Sequence, residues 1–356
     1  MDGYPGFDTF ALGAGPGGMD EAARLIGAPI SILGFDISDD AIATATAAGH
    51  ARVRADMRDL DEAVLNGATG AIITCPCPTF SASGKGSGRG SDYQHLLDAI
   101  TCLGADHCGH ECEEECADFG CEHTSYHGEG SCECWRAIDE QVADSRTALV
   151  AHGIRLLLRV ESLEWFVLEQ VPALEECWYD VVAELAGAGW ETFDVAMLDA
   201  ADFGAGARRR RAFCYGRRYT PSMVSPYGDV ERVSAAAVLG WEPGHVIRTR
   251  NNRRPGGGND FSTDGPSWCL TGKARSWFRL ADGARLDVAD AGALQGFPRD
   301  YPWSGSRTSA FQQAGDVVSP LSGAAVLGAA LGIEWRDAVA ARSAELAAGP
   351  DRVLAA

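Results

Sequence analysis

Two apolar runs in this 356-residue chain end on groups that can carry covalent and acid–base chemistry. Ala71–Thr74 leads into Cys75-Pro76-Cys77-Pro78-Thr79-Phe80-Ser81 and a glycine-rich loop holding Lys85 and Arg89, and Trp165–Leu168 leads into Glu169-Gln170-Val171-Pro172. A cysteine thiolate is a nucleophile, and a carboxyl group at the same sheet edge can stabilise or transfer a proton. Ahead of both, Gly13-Ala14-Gly15-Pro16-Gly17-Gly18 follows a first apolar run, and Asp36 closes the second about twenty residues on. Glycines let the backbone approach a cofactor, and an acid at that spacing accepts hydrogen bonds from ribose hydroxyls. A nicotinamide dinucleotide and S-adenosylmethionine are both held this way. Asp56, after a third apolar segment, is placed to take an adenine amino group. The plain alternatives are a ligand-free glycine turn and an inert buried cysteine.

The elements that must position these groups follow from periodicity. Phe10–Leu12, Ile30–Phe35 and Ala71–Thr74 are predicted as buried strands, with Glu21–Ile26 and Asp39–Ala48 as helices between them. That order implies a parallel, doubly wound sheet whose ligands sit beyond the carboxyl ends of its strands. A long helix over Ile138–Leu158 leads to the strand Trp165–Leu168. A helix over Cys177–Ala188 then leads to a strand at Thr192–Leu198, and Arg211–Tyr215 closes the sheet. From 216 to 264 the apolar periodicity fades and Arg, Gly, Pro and Asn accumulate, as in a small lobe of loops and short strands. From about 290 the pattern is helical again, ending in the Ala-rich Leu321–Leu331.

Hydrophobic residues make up 46% of the chain and charged residues 22%, which excludes a disordered or collagen-like protein. No run reaches about 18 uninterrupted apolar residues, so neither a membrane span nor a signal peptide is expected, and a cytoplasmic location is. The formal charge of −20 hides a strong asymmetry: residues 207–285 hold 15 of the 30 Lys and Arg but only 6 of the 50 Asp and Glu. This segment carries about +9 and the remainder about −29. A basic face on an acidic body can bind phosphates, because the local field within a Debye length of roughly 8 Å sets the attraction.

Taken in order, these motifs resemble those of the DNA cytosine-5 methyltransferases across nearly the whole chain. Phe10 through Gly18 is similar to the family's cofactor loop, and Gly34-Phe35-Asp36 and Asp56 to its two acidic motifs. Pro76-Cys77 is similar to the nucleophile motif, Glu169 to the glutamate motif, and Arg209 with Arg211 to the paired arginines that contact the target base. Thr271, in Pro266-Ser267-Trp268-Cys269-Leu270-Thr271, is similar to the segment that follows target recognition. Leu294-Gln295-Gly296-Phe297-Pro298 and Gly315-Asp316-Val317-Val318-Ser319-Pro320 look like the closing motifs.

The resemblance implies an α/β, doubly wound Rossmann-like S-adenosylmethionine-dependent methyltransferase fold with a small target-recognition domain. Its parts are a catalytic domain over 1–213, a recognition domain and return connection over 214–290, and a helical part over 291–356 that completes the catalytic domain. Cys77, Glu169, Arg209 and Arg211 are the implied catalytic residues. S-adenosylmethionine would meet Phe10, Gly13, Gly15, Gly17, Gly18, Asp36, Ile37, Asp56, Met57, Pro76, Asp316 and Val318. Double-stranded DNA is the implied partner, met by Ser81, Lys85, Arg89, Arg248, Arg250, Arg253, Arg254 and Thr271. The resemblance also allows a restriction endonuclease partner in the same system, and the chain is expected to be a monomer. The chemistry is addition of a thiolate to C6 of a flipped-out cytosine, so that C5 can attack the methyl group.

Four positions depart from the family pattern: Pro78 and Ala207 stand where Gln is usual, and Gln170 and Asp316 where Asn is usual. Pro78 removes a backbone donor and Asp316 adds a charge near the cofactor's reactive end. A catalytically weak or altered-cofactor DNA-binding relative is therefore one alternative, and an RNA cytosine-5 methyltransferase is another, because enzymes related to the resembled family methylate transfer RNA with the same chemistry. A dinucleotide-dependent oxidoreductase would rest on the glycine loop alone.

Seven of the twelve cysteines fall within residues 102–134. Cys108, Cys112 and Cys116 recur every fourth residue and would share a helix face, with Cys121, His123, Cys132 and Cys134 following. Thiolates and imidazoles at this density suit a structural zinc ion, although paired CxxC knuckles are missing. Residues 102–135 hold nine Asp or Glu and no Lys or Arg, so the segment is expected to face away from phosphates.

Overall fold

The computed structural model describes Tyr4, residues 6–76, Phe80, and residues 90–104, 138–219, 223–228, 230–249 and 259–350. Seven strands form the larger sheet: β1 (Thr9–Leu12), β2 (Ile32–Asp36), β3 (Ala51–Arg54), β4 (Gly70–Ile73), β5 (Trp165–Gln170), β6 (Thr192–Asp199) and β7 (Arg210–Arg217). Their order is β3-β2-β1-β4-β5-β7-β6, and a second sheet of three strands, β8 (Val246–Arg248), β9 (Asp260–Ser262) and β10 (Phe278–Arg279), has the order β10-β8-β9. By packing, the chain divides into two units. The first comprises Met1–Gly13, Ala55–Met197 and Arg211–Ser222; the second comprises Ala14–Arg54, Leu198–Arg210 and Met223–Ala356.

In the first unit β1 pairs parallel with β4, and β4 with β5. Every residue of these three strands is buried, as central strands covered on both faces require. The chain's turn from β1 outward to β2 and β3, and its return at β4, makes the ends of β1 and β4 the switch point at which such sheets bind ligands. The expected closing strand becomes β7, which runs antiparallel against β5 and lies between β5 and β6. Only ten residues separate β6 from β7, too few for the crossover helix that a parallel return needs.

The helices α3 (Glu62–Leu65), α4 (Ser91–Gly104), α5 (Ile138–Gln141), α6 (Leu149–Arg159) and α7 (Glu175–Gly187) belong to this unit. The single helix expected over Ile138–Leu158 is thus two. Asp144 holds the backbone N–H and the guanidinium of Arg146, and Asp92 accepts the Ala143 N–H. Such local side-chain bonds compete with helical ones and break the run. Beyond the break, Leu149 through Leu157 are all buried.

In the second unit β2 pairs parallel with β3, accompanied by α1 (Gly18–Leu25), α2 (Asp39–Ala47), α8 (Ala235–Leu239), α9 (Val288–Leu294), α10 (Arg307–Asp316), α11 (Pro320–Leu331) and α12 (Arg336–Ala347). The Ala-rich α11 starts on Pro320 and ends on Gly332, the usual asymmetry of helix ends, and it packs on α1. Across Arg307–Leu331, 89% of the most apolar stretch is buried inside the protein, which makes it core rather than a membrane span.

Candidate active site

In the first unit, the candidate catalytic residues stand at the ends of β1, β4 and β5. Thr74 follows β4, donates its N–H to Leu12 O at 3.0 Å and its hydroxyl to Gly13 O at 3.0 Å. A Cβ on Gly13, whose φ is +62°, would lie 2.6 Å from the Thr74 carbonyl oxygen, so only glycine allows the two loops this close. At the end of β5, the buried Gln170 donates its amide to Cys75 O at 2.6 Å. The longer amide at this position thereby fixes the strand that leads into Pro76 and Cys77.

Glu169 is 8% exposed. Its Oε1 stands 2.8 Å from Arg211 Nε on β7, in an ion pair whose N–H is not aligned on the oxygen, so that among the described residues this buried acceptor has no directed donor. The pairing of Glu169 with Phe213 and Gln170 with Ala212 across β5 and β7 sets this encounter. Glu169 and Arg211 are thus brought together by the β5–β7 register.

Cys75, two residues before the expected nucleophile, is inert by position. Its thiol is buried, donates to Leu149 O at 3.2 Å and lies 3.7 Å from Met57 Sδ. Burial, with the charge of Glu169 adding to it, pushes this thiol up to about 12. Met57 is buried beneath it, and Phe10 is fully buried in β1. Asp56 is engaged locally: it accepts from the Arg58 N–H and holds the guanidinium at 2.6 Å, which keeps its carboxyl below the usual range. Cys77, Pro78, Ser81, Lys85 and Arg89 lie outside the described residues.

The second unit holds the rest of the glycine loop, from Ala14 on, and Asp36. Gly15 N–H donates to Asp36 Oδ2 at 2.8 Å, and Ser38 N–H to Oδ1 at 2.8 Å, so the acid that ends β2 holds the glycine loop while keeping lone pairs for other donors. Ile37, next to it, is 59% exposed. Gly17 has φ +111°, and a Cβ there would meet Tyr301 Oη and His50 Cδ2. Gly18 packs against the Val318 carbonyl, where a Cβ would also not fit. A cramped glycine loop beside a carboxylate and an exposed aliphatic side chain fits the nucleoside end of S-adenosylmethionine.

A feature without a sequence signature supports this loop. Arg52 of β3 is fully buried and grips Asp20 of α1 through two bonds, 2.6 and 3.0 Å, while its Nε donates to Gly15 O at 3.3 Å. Tyr301 donates its hydroxyl to Pro16 O, and His50 Nε2 meets Glu21 Oε1 at 2.9 Å. Two loop carbonyls are therefore held by a guanidinium and a phenol that come from distant parts of the sequence.

Arg209 is buried and donates to Gly315 O at 2.6 Å and Asp316 O at 2.5 Å, while its backbone N–H donates to Asp199 Oδ1. Of the two arginines in the paired motif, this one fastens the closing motif. Asp316 is exposed, and its carboxylate accepts from Gln312 at 2.5 Å. Thr271 caps a short helical turn and packs against Gly315. Arg248 is held by Asp260 on the paired strand β9, at 2.7 and 2.9 Å. Arg250, Arg253 and Arg254 lie outside the described residues. So do Cys108, Cys112, Cys116, Cys121, His123, Cys132 and Cys134, and among the described residues no group of three or more His, Cys, Asp or Glu could hold a metal ion.

Strand order, glycine loop and switch-point residues together define a Rossmann-like methyltransferase fold. Solved structures with this fold match over almost their whole length. An Escherichia coli protein described as a DNA modification methyltransferase encoded within a prophage matches with a TM-score of 0.60 at 16% identity, covering 92% of this chain and 99% of the other. The Dnmt2 methyltransferase of Schizosaccharomyces pombe gives 0.57 at 14% identity, covering 90% and 97%. The methyltransferase EhMeth of Entamoeba histolytica gives 0.60 at 13%, covering 90% and 96%. In sequence, the chain is 37% identical to the type II methyltransferase M1.HphI of Haemophilus parahaemolyticus over 71 residues, which is 20% of this chain and 19% of that relative. No family model matches the chain.

Proposed function

We propose that this chain transfers the methyl group of S-adenosylmethionine to C5 of cytosine in double-stranded DNA. The observation that carries this reading is Glu169, a shielded carboxyl group 2.8 Å from Arg211, on a strand tied through Gln170 to the carbonyl two residues before Cys77. Cytosine C5 is a poor nucleophile. Addition of the Cys77 thiolate to C6 breaks the C5–C6 double bond, and the electron pair becomes available at C5 while negative charge develops on N3 and O2. Glu169 holds a proton at N3, and its oxygen lacking an aligned donor suits that role. Arg211 orients the carboxyl group and offers donors toward O2. Bound S-adenosylmethionine supplies the electrophilic methyl group, held by the glycine loop, Asp36 and Ile37. Water then takes the C5 proton, the C6–S bond breaks to release the Cys77 thiolate, and the N3 proton returns to Glu169, which restores the aromatic ring. The target must leave the duplex first, at a cost of a few kcal/mol.

Mass spectrometry of nucleosides digested from the DNA and, separately, the RNA of a host expressing the protein tests this, beside a Cys77→Ser control. 5-Methylcytosine in DNA that depends on Cys77 is the expected result. Its appearance in RNA alone moves the substrate, a different cytosine adduct points to an altered cofactor through Pro78 and Asp316, and no product in either leaves a DNA-binding relative. Calorimetric binding of NAD without binding of S-adenosylhomocysteine would overturn the cofactor assignment.

A further inference from the structure

We propose that Trp268 is a stacking platform for an unstacked nucleobase of the bound DNA, with Arg208 as a phosphate contact beside it; this rests on the nucleic-acid reading above. Trp268 is 43% exposed, an unusual position for the largest apolar side chain. One part of its ring is covered by Phe261, stacked at 5.2 Å with 29° between the planes, and Phe261 is braced in turn by the buried Trp277 at 5.3 Å and 70°. The indole is therefore rigidly backed while much of it stays accessible, which lowers the entropy lost when a flat ligand settles on it.

Its placement in the second unit is set by backbone bonds. Ser267, fully buried, donates its N–H to Gly206 O at 2.7 Å and accepts from Arg208 N–H at 2.9 Å, so the Ser267–Trp268 backbone runs in register with Ala207 and Arg208. Arg208 is exposed, Arg209 next to it fastens Gly315, and Gly315 packs on Thr271, three residues after Trp268. The exposed aromatic ring and the exposed cation therefore belong to the segments that also hold the paired-arginine motif and Thr271. Both lie in the stretch 207–285, where formal charge is about +9 on an otherwise acidic chain. An accessible aromatic face with an exposed cation on the paired backbone segment, within the positively charged stretch 207–285, matches single-stranded or extruded nucleotides, because every base offers a π-face and every linkage a phosphate.

The test measures equilibrium binding of the full-length protein to a twelve-nucleotide oligodeoxycytidine, and to a mixed-sequence duplex in which bases are stacked. Trp268→Ala is expected to weaken single-strand binding about ten-fold, and to change duplex binding less than about two-fold. Trp268→Phe is expected to retain most of the affinity, and Arg208→Ala to reduce the salt slope on the single strand by about 0.7. Should Trp268→Ala not fold by circular dichroism, Trp268→Leu replaces it, apolar but without a ring. Single-strand binding by the ringless variant within about two-fold of the parent overturns the proposal while leaving the methyltransferase reading intact. A parent protein that binds neither oligonucleotide overturns both.

Discussion

At the scale of single residues, Glu169 and Cys75 show how position sets reactivity. Glu169 is shielded beside a guanidinium and keeps one oxygen without an aligned donor. Glu169→Gln preserves the shape and removes the acid–base group that the proposed mechanism uses, so kcat should fall about 10²- to 10⁴-fold with S-adenosylhomocysteine affinity unchanged by calorimetry. An unchanged kcat would take Glu169 out of the chemistry. Cys75 is the opposite case: with its thiol near 12 it stays protonated at pH 8. Iodoacetamide applied to the native protein at pH 8 should leave Cys75 unmodified by peptide mapping, and Cys75→Ala should keep turnover within a few-fold where Cys77→Ser abolishes it.

At the scale of elements, the glycine loop between β1 and α1 depends on a clamp made by β3 and α1 themselves. Arg52 is fully buried against Asp20, so Arg52→Met leaves a buried carboxylate without its partner. Removing one member of a buried pair costs about 3–5 kcal/mol, whereas replacing both by apolar residues is far milder. Urea unfolding should therefore show Arg52→Met strongly destabilised and Arg52→Met with Asp20→Leu recovering part of the loss. Both should also weaken S-adenosylhomocysteine binding, since both release Gly15 O. Equal destabilisation of single and double variants would mean that the pair does not act as a unit. The strands that bound this loop were legible as apolar runs, because β1, β4 and β5 are buried on both faces and need no polar alternation. Arg52 was not legible, because an arginine on a short strand gives no sign that an aspartate 32 residues earlier faces it.

At the scale of the whole molecule, burial acts on several groups at once. Cys75, Cys177 and Cys214 are all buried thiols pushed upward by desolvation, and Tyr301 is raised by burial and by the nearby Glu21 and Asp20. The folded state thus favours their protonated forms. The stability they contribute is complete below the ordinary thiol value of 9.0 and is lost as pH rises from there toward the folded values. Denaturant midpoints should accordingly hold from pH 7 to 9 and then fall, at up to about 1.4 kcal/mol per pH unit for each thiol. A flat profile to pH 11 would show that these thiols ionise without unfolding. The cysteine-rich stretch 102–135 calls for a separate measurement, and metal analysis of protein purified without chelator should find about one zinc per chain if its spacing means what thiolate density implies.

The sequence by itself determined β1, β2, β4, β5 and β6 as apolar runs in chain order, the glycine loop with Asp36, and the acid at the end of β5, while the short half-exposed β3 gave no such run. Each is a local pattern, carried by burial on both faces or by a few adjacent residues. What only the tertiary structure decided is which partners meet across long separations. The antiparallel insertion of β7 brings Arg211 to Glu169, and Gln170 reaches Cys75. Arg209 turns to the closing motif, while Arg248 is held by Asp260. A guanidinium serves a substrate, a carbonyl or a carboxylate equally well, and the choice rests on the strand register and packing that bring one of them within 3 Å.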